Sequence, residues 1–122
     1  MDELYKSFKK SLDRLEEVLK QEKTIINRDA AIKRFEFTAE LGWKTIQQFL
    51  RGKNINCQSP RSCLEEAFKF GLVEDEQSWL TMLNDRNLTV HTYNEEVAEN
   101  VYKNLKNYLS PLKRLAKKLT SQ

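Results

Sequence analysis

The stretch from Asn94 to Leu119, NEEVAENVYKNLKNYLSPLKRLAKKL, carries the clearest helix pattern in the chain and decides the fold class. Apolar side chains recur along it every three or four residues, so they share one face of a helix. These are Val97, Val101, Leu105, Tyr108, Leu112, Leu115 and Leu119. Acidic residues fill the first turns and basic residues fill the last, which complements the helix dipole. We therefore predict a long amphipathic helix that Asn94 caps.

The basic end of this helix has two interpretations. Its cations are Lys113, Arg114, Lys117 and Lys118. We predict a solvated helix end, and a patch that binds nucleic acid is the alternative. The final residues, LTSQ, are expected to fray.

Two further helices are predicted in the first half of the chain. Apolar residues at helical spacing predict the first over about residues 2–21 and the second from about Asp29 to Leu50. The polar segment QEKTIINR, residues 21–28, is predicted to connect them. Gly52 is a typical residue at which a helix stops.

The second half of the chain begins with a shorter element. Ser59 followed by Pro60 is typical of a helix start, so a short helix is predicted over about residues 60–70. Asp75 can cap the next helix, which is predicted to end near His91 because two β-branched residues lower helix propensity there.

These elements predict an all-α fold, an antiparallel up-and-down four-helix bundle with one extra short helix. The 122 residues include only 3 glycines and 2 prolines, which suits helices joined by few turns. A chain of this length can bury one core, so residues 1–122 are expected to form a single domain.

Composition bears on several classes of protein, and it leaves RNA binding open. The net charge of +3, from 21 basic and 18 acidic residues, does not argue for a dedicated nucleic-acid binder. No apolar run approaches the roughly 20 residues that span a bilayer, and the first ten residues have no signal-peptide core, so a cytoplasmic protein is expected. In that compartment Cys57 and Cys63 are expected to be free thiols. Neither cysteine nor histidine spacing predicts a metal site, and no cofactor is expected.

The second helix carries a charged face beside an aromatic residue. One interpretation is a solvated face with a Glu40–Lys44 pair. The other is that this acidic face lines a cleft or pairs with a basic residue of another helix, for which Arg86 is the best candidate. The residues that could line such a cleft are Glu36, Glu40, Trp43, Lys44 and Asn87.

The segment RNLTVHTY, residues 86–93, contains the only histidine of the chain. On an unbroken helix Arg86 and Tyr93 lie about 20° apart, whereas His91 lies about 140° from Arg86. Arg86 and His91 can therefore act together only if the helix ends or loosens before His91, or if the site forms between two chains.

Together these side chains suit phosphate chemistry. Arginine binds phosphate through a fork of donors, histidine exchanges protons near neutral pH, and a tyrosine hydroxyl can be modified. With RNA, a base can take the proton of a 2′-OH that attacks the next phosphate, while arginine stabilises the developing charge without a metal. The alternative is a helix-end histidine beside a salt-bridged arginine and an amphipathic tyrosine.

The spacing of Arg86, His91 and Tyr93 resembles the R-x4-H-x-Y motif of the HEPN superfamily. The segments RFEFTAELGWKTIQQFL, SPRSCLEEAFKFGLVEDEQSWLTML and DRNLTVHTYNEEVAENVY are similar to the nucleotidyltransferase substrate-binding proteins, over about residues 4–118. The resemblance implies an up-and-down helical bundle, a homodimer, and a separate small nucleotidyltransferase partner encoded nearby.

The resemblance implies two functions. The first is a helical partner subunit of a minimal nucleotidyltransferase that binds a nucleotide or presents a substrate. The second is a metal-independent ribonuclease toxin, in which Arg86 binds phosphate, His91 transfers the proton, and AMP transfer to Tyr93 neutralises the toxin. A dimer could join Arg86 of one chain with His91 of the other. A plain helical interaction module is the third alternative, and whether the chain is an enzyme stays open.

Overall fold

The structure, a computed structural model, describes residues 2–121. It contains five α-helices and one 3₁₀ turn, with no strand anywhere in that range. The elements are α1 (Asp2–Leu19), α2 (Ile25–Arg51), α3 (Pro60–Phe70), α4 (Glu76–Leu88), the 3₁₀ turn (Thr89–His91) and α5 (Glu95–Ser121). The predicted all-α bundle is confirmed, and α3 is the extra short helix.

Most of the helix starts follow from capping side chains. The starts predicted at Ser59, Asp75 and Asn94 are confirmed, because each side chain accepts a hydrogen bond from a backbone N–H two or three residues further along. Pro60 occupies the first turn of α3, where a missing N–H costs nothing.

The start of α2 differs from the sequence prediction. The helix begins at Ile25 and not near Asp29, because the side chain of Thr24 accepts a hydrogen bond from the N–H of Asn27. Ile25 and Ile26 point into solvent, with Ile26 80% exposed, so they do not extend the core-facing pattern on which the prediction depended.

Two helix ends also need correction. The helix α1 ends at Leu19, two residues earlier than predicted. The predicted fraying of residues 119–122 is wrong for the described part, because α5 continues to Ser121 and Leu119 is buried in the core. Gln122 lies outside the described residues.

The core lies around α2, which contacts every other element. The largest fully buried side chains come mainly from α1, α2 and α5, and include Phe8, Leu12, Phe35, Ile46, Leu105 and Leu112. Gly42 gives the Phe8 ring of α1 room to pack on α2, since a Cβ there would lie 3.3 Å from that ring. A glycine inside a helix is unfavourable by itself, and this contact accounts for it.

A buried arginine ties the start of α2 to the start of α5. Arg28 is only 3% exposed, and its Nη1 donates to Glu95 at 2.7 Å and to Glu99 at 2.9 Å. The hydrogen bond from the guanidinium lowers the pKa of Glu95, and the hydrogen bonds from Lys23 and then from Arg28 lower the pKa of Glu99. This ion cluster holds in place the end of the bundle where the 3₁₀ turn leads into α5.

The expectation of two free thiols is contradicted, because Cys57 and Cys63 form a disulfide. The turn at Ser59 and Pro60 reverses the chain, so that the two Cα atoms lie 5.0 Å apart, within the range a disulfide spans. Both cysteines are buried. The expectation rested on the compartment, whereas the local turn brings the two sulfur atoms together.

A buried carboxylate joins α4 to α5. Asp85 accepts hydrogen bonds from the Tyr108 hydroxyl at 2.5 Å and from the Asn104 amide at 3.0 Å. The Tyr108 ring also stacks on Phe35 of α2. Burial, and then the bond to Asp85, raise the pKa of Tyr108 well above its ordinary value, so the phenol stays a donor.

The substitution Tyr108→Phe should lower the free energy of unfolding by about 1 to 3 kcal/mol, because it leaves a buried carboxylate without its shortest hydrogen bond. Urea denaturation followed by circular dichroism measures this. Tyr102→Phe is the matched control, since the Tyr102 hydroxyl makes no hydrogen bond among residues 2–121. Equal effects of the two substitutions would contradict the role assigned to Asp85.

Candidate functional site

A cavity of about 240 Å³ opens between α2, α3 and α4. Its walls are mainly apolar, and three polar side chains, Glu40, Arg86 and Asn87, also line it. The lining residues are Ala39, Glu40, Trp43, Pro60, Leu64, Trp79, Met82, Leu83, Arg86 and Asn87. A concave apolar site with a few convergent polar groups is the usual form of a small-molecule site.

Of the two interpretations of the acidic face of α2, the structure contains the ion pairs that each of them names. Arg86 donates from Nε at 3.1 Å and from Nη2 at 2.9 Å to Glu40 Oε1. Lys44 lies 3.6 Å from Oε2 of the same carboxylate, so the pair within α2 also forms. Glu36 pairs with Lys33 at 3.4 Å and does not line the cavity.

The environment of Glu40 keeps its carboxyl ionised. Burial is the largest single influence and raises its pKa, but the hydrogen bonds and positive charge of Arg86, with smaller contributions from Trp43 and Lys44, together outweigh burial, so the net pKa lies below the ordinary value. The neighbouring indole of Trp43 also lowers the pKa of Glu40. Its buried Nε1 makes no hydrogen bond that meets the usual distance and angle limits within the described residues. The cavity therefore carries a carboxylate and a guanidinium that neutralise each other.

His91 and Tyr93 lie on the turn that follows α4. The α-helix ends at Leu88, earlier than the predicted end near His91, and the chain continues as a 3₁₀ turn to His91 over the two β-branched residues. Thr89 stabilises this end, because its hydroxyl donates to the carbonyl of Arg86 at 2.7 Å. Tyr93 is 82% exposed, and its hydroxyl lies 3.4 Å from Nδ1 of the exposed His91.

The structure thus divides the predicted site into two parts. Arg86 lies in the cavity with Glu40, Trp43 and Asn87, whereas His91 and Tyr93 lie together on the outer turn. Within residues 2–121 no hydrogen bond links Arg86 to His91.

Sequence reasoning did not assign several residues of the cavity. Trp79, Met82 and Leu83 were not singled out as site residues, and Pro60 was expected only to start α3. Leu64 carried no signal by itself. These residues become one wall only through the packing of α3 against α4.

Two further expectations concern metals and membranes. In the described part of the chain, no group of three or more histidine, cysteine, aspartate or glutamate residues could hold a metal ion. No described helix has the length and apolar character needed to cross a bilayer.

Comparison with known proteins identifies the family. The model of the family described as nucleotidyltransferase substrate binding protein like matches residues 3–121. The chain belongs to this family.

The chain is also similar to three known proteins. A Haemophilus influenzae protein named probable ribonuclease HepT is 36% identical over 84 residues, which cover 65% of this chain and only 58% of that protein. A crystal structure from Thermus thermophilus is 36% identical with a TM-score of 0.86, covering 92% of this chain and 98% of that one.

The third relative is a Haemophilus influenzae structure described as the fold of a substrate binding domain of a nucleotidyltransferase. It is 27% identical with a TM-score of 0.86, covering 95% of this chain and 98% of that one. The chain thus has the fold of a nucleotidyltransferase substrate-binding domain.

The ion pair across the cavity makes stability depend on pH. Because the pKa of Glu40 is lowered in the folded protein, its ionised carboxylate contributes to the free energy of unfolding. This contribution is fully present above the ordinary carboxyl pKa of about 4.3 and is lost as the pH falls through the pKa of Glu40 in the folded protein. Glu40→Gln should lower the free energy of unfolding by less than about 1 kcal/mol near pH 7, since the pair is partly exposed.

Urea denaturation of wild type and Glu40→Gln at several pH values measures this, and the difference should shrink as the pH falls below about 4. Glu36→Gln is the control, because Glu36 pairs only with the exposed Lys33. A difference that stays constant with pH would contradict the ionised pair.

Proposed function

We propose that the chain is the helical substrate-binding subunit of a small nucleotidyltransferase that is encoded nearby as a separate protein. The observation that carries this proposal is the turn that presents Tyr93 to solvent with its hydroxyl beside His91. The family match and the fold support it. The two proteins would form a complex in which the nucleotidyltransferase acts on this turn.

The chemistry at the turn is transfer of AMP to Tyr93. The phenol oxygen of Tyr93 forms a bond to the α-phosphorus of ATP held by the nucleotidyltransferase, and the bond from that phosphorus to pyrophosphate breaks. Nδ1 of His91, 3.4 Å from the hydroxyl, takes the phenol proton when that nitrogen is unprotonated. The high exposure of Tyr93 leaves room for a second protein to reach the oxygen.

Incubation of the chain with its nucleotidyltransferase and ATP should therefore raise its intact mass by one AMP, and Tyr93→Phe should abolish the change. His91→Ala should slow the transfer by about 100-fold or more if His91 is the general base. Tyr102→Phe serves as the control, since Tyr102 is half-buried on α5. Failure of the two proteins to co-purify, or an adduct on another residue, would overturn the proposal.

A second function is supported by the relative named probable ribonuclease HepT. In this alternative the chain is a metal-independent ribonuclease toxin, and AMP on Tyr93 neutralises it. Arg86 stabilises the developing charge on phosphate, and His91 exchanges the proton with the 2′-OH. The separation of Arg86 from His91 within one chain favours a site shared across a homodimer.

A mixing experiment tests both the cleavage and the shared site. Wild type free of adduct should cleave RNA in EDTA, whereas Arg86→Ala and His91→Ala should each be inactive. After chain exchange, the mixed variants should recover about a quarter of the wild-type rate, because half of the dimers then contain one intact site. Recovery is impossible if each chain forms its own site, and absence of any cleavage by wild type excludes the ribonuclease alternative.

A further inference from the structure

The cavity between α2, α3 and α4 has aromatic walls that the chemistry of the Tyr93 turn does not use. Trp43 and Trp79 are the only tryptophans of the chain, and both line this cavity. Bases of nucleic acids stack on aromatic side chains, with about 1 to 3 kcal/mol for each base. The volume of about 240 Å³ lies below the range of cavities that enclose a whole drug-sized ligand, so it suits one ring system.

The polar residues of the cavity match the rest of a nucleotide. Arg86 holds Glu40 through Nε and Nη2, whereas its Nη1 makes no hydrogen bond among the described residues. A guanidinium binds phosphate oxygens through such donors. Asn87 is exposed and can both donate and accept, as in the pairing of asparagine with adenine. Glu40 can accept a hydrogen bond from an amino group.

We propose that this cavity binds the base of a nucleotide, with the ribose and phosphate at the mouth and the phosphate on Arg86. The base carries an exocyclic amino group, as adenine and cytosine do, because the polar side chains beside the apolar walls are Glu40 and Asn87. The proposal deepens the proposed function, since it names the class of substrate that a substrate-binding subunit holds. The nucleotide is either a free mononucleotide or an unpaired base of RNA.

Tryptophan fluorescence provides a direct readout, because both indoles of the chain line the cavity. Titration of the purified chain with AMP should give a saturable change in emission, confirmed by calorimetry. IMP, which lacks the amino group, should bind about tenfold more weakly. Ribose 5-phosphate should produce no change, and adenosine should bind more weakly than AMP because it has no phosphate for Arg86.

Two variants locate the ligand. Ala39→Leu fills the cavity from α2 and leaves the charged groups of Glu40 and Arg86 in the chain, and it should weaken AMP binding at least tenfold. Ala30→Leu, at an exposed position of the same helix, is the matched control and should bind as wild type does. Leu83→Phe fills the cavity from α4 and replaces Ala39→Leu if that variant fails to fold.

The outcomes separate this proposal from the proposed function. If AMP binds as tightly as a short single-stranded oligoadenylate does, the ligand is a free nucleotide. If only the oligonucleotide binds, the ligand is an unpaired base of RNA. No saturable binding of either, or equal binding by Ala39→Leu and wild type, overturns the proposal. Equal affinity for adenosine and AMP overturns the role of Arg86. In each of these cases AMP transfer to Tyr93 and formation of the complex can still be observed.

Discussion

The buried carboxylate of Asp85 is the constraint on which the site depends. Its hydrogen bonds to Tyr108 and Asn104 fix the rotation of α4 against α5. Successive residues of a helix point about 100° apart, so once Asp85 faces α5 the next residue, Arg86, faces α2. There it meets Glu40 and lines the cavity. A buried charge that lost these bonds would be costly, and the helix is therefore held at one rotation.

The C-terminal end of α4, unlike the buried Asp85, leads into a turn that presents side chains to solvent. Beyond Leu88 the chain tightens into a 3₁₀ turn, and its last residues are held by bonds from threonine hydroxyls to nearby carbonyls. His91 and Tyr93 stay in solvent, where a second protein can reach them. After the turn, the hydrogen bonds of Arg28 with Glu95 and Glu99 hold the start of α5 against α2. The motif thus joins a rigid cavity wall to an accessible turn within eight residues.

Local sequence signals predicted most of the fold, and tertiary packing decided the rest. The caps at Ser59, Asp75 and Asn94 are short-range interactions, so the sequence alone was enough to predict them. Such signals missed the start of α2, because Ile25 and Ile26 extend the helix without contributing to the core. Side-chain chemistry, and then the resemblance, pointed to Arg86, His91 and Tyr93, and charge suggested Arg86 as a partner for the acidic face that includes Glu40. The aromatic cavity needed three helices to be placed together, which periodicity within single helices does not report.

The pairing of Glu40 with Arg86 also sets what the cavity can hold. A phosphate that approaches Arg86 alone meets repulsion from the adjacent carboxylate, which offsets part of the attraction to the guanidinium. A ligand that brings both an anion and a hydrogen-bond donor satisfies Arg86 and Glu40 together and leaves neither without a partner. Polar groups at an apolar site discriminate most strongly against ligands that leave them unpaired. The ion pair therefore favours a base with an amino group joined to a phosphate over a phosphate alone.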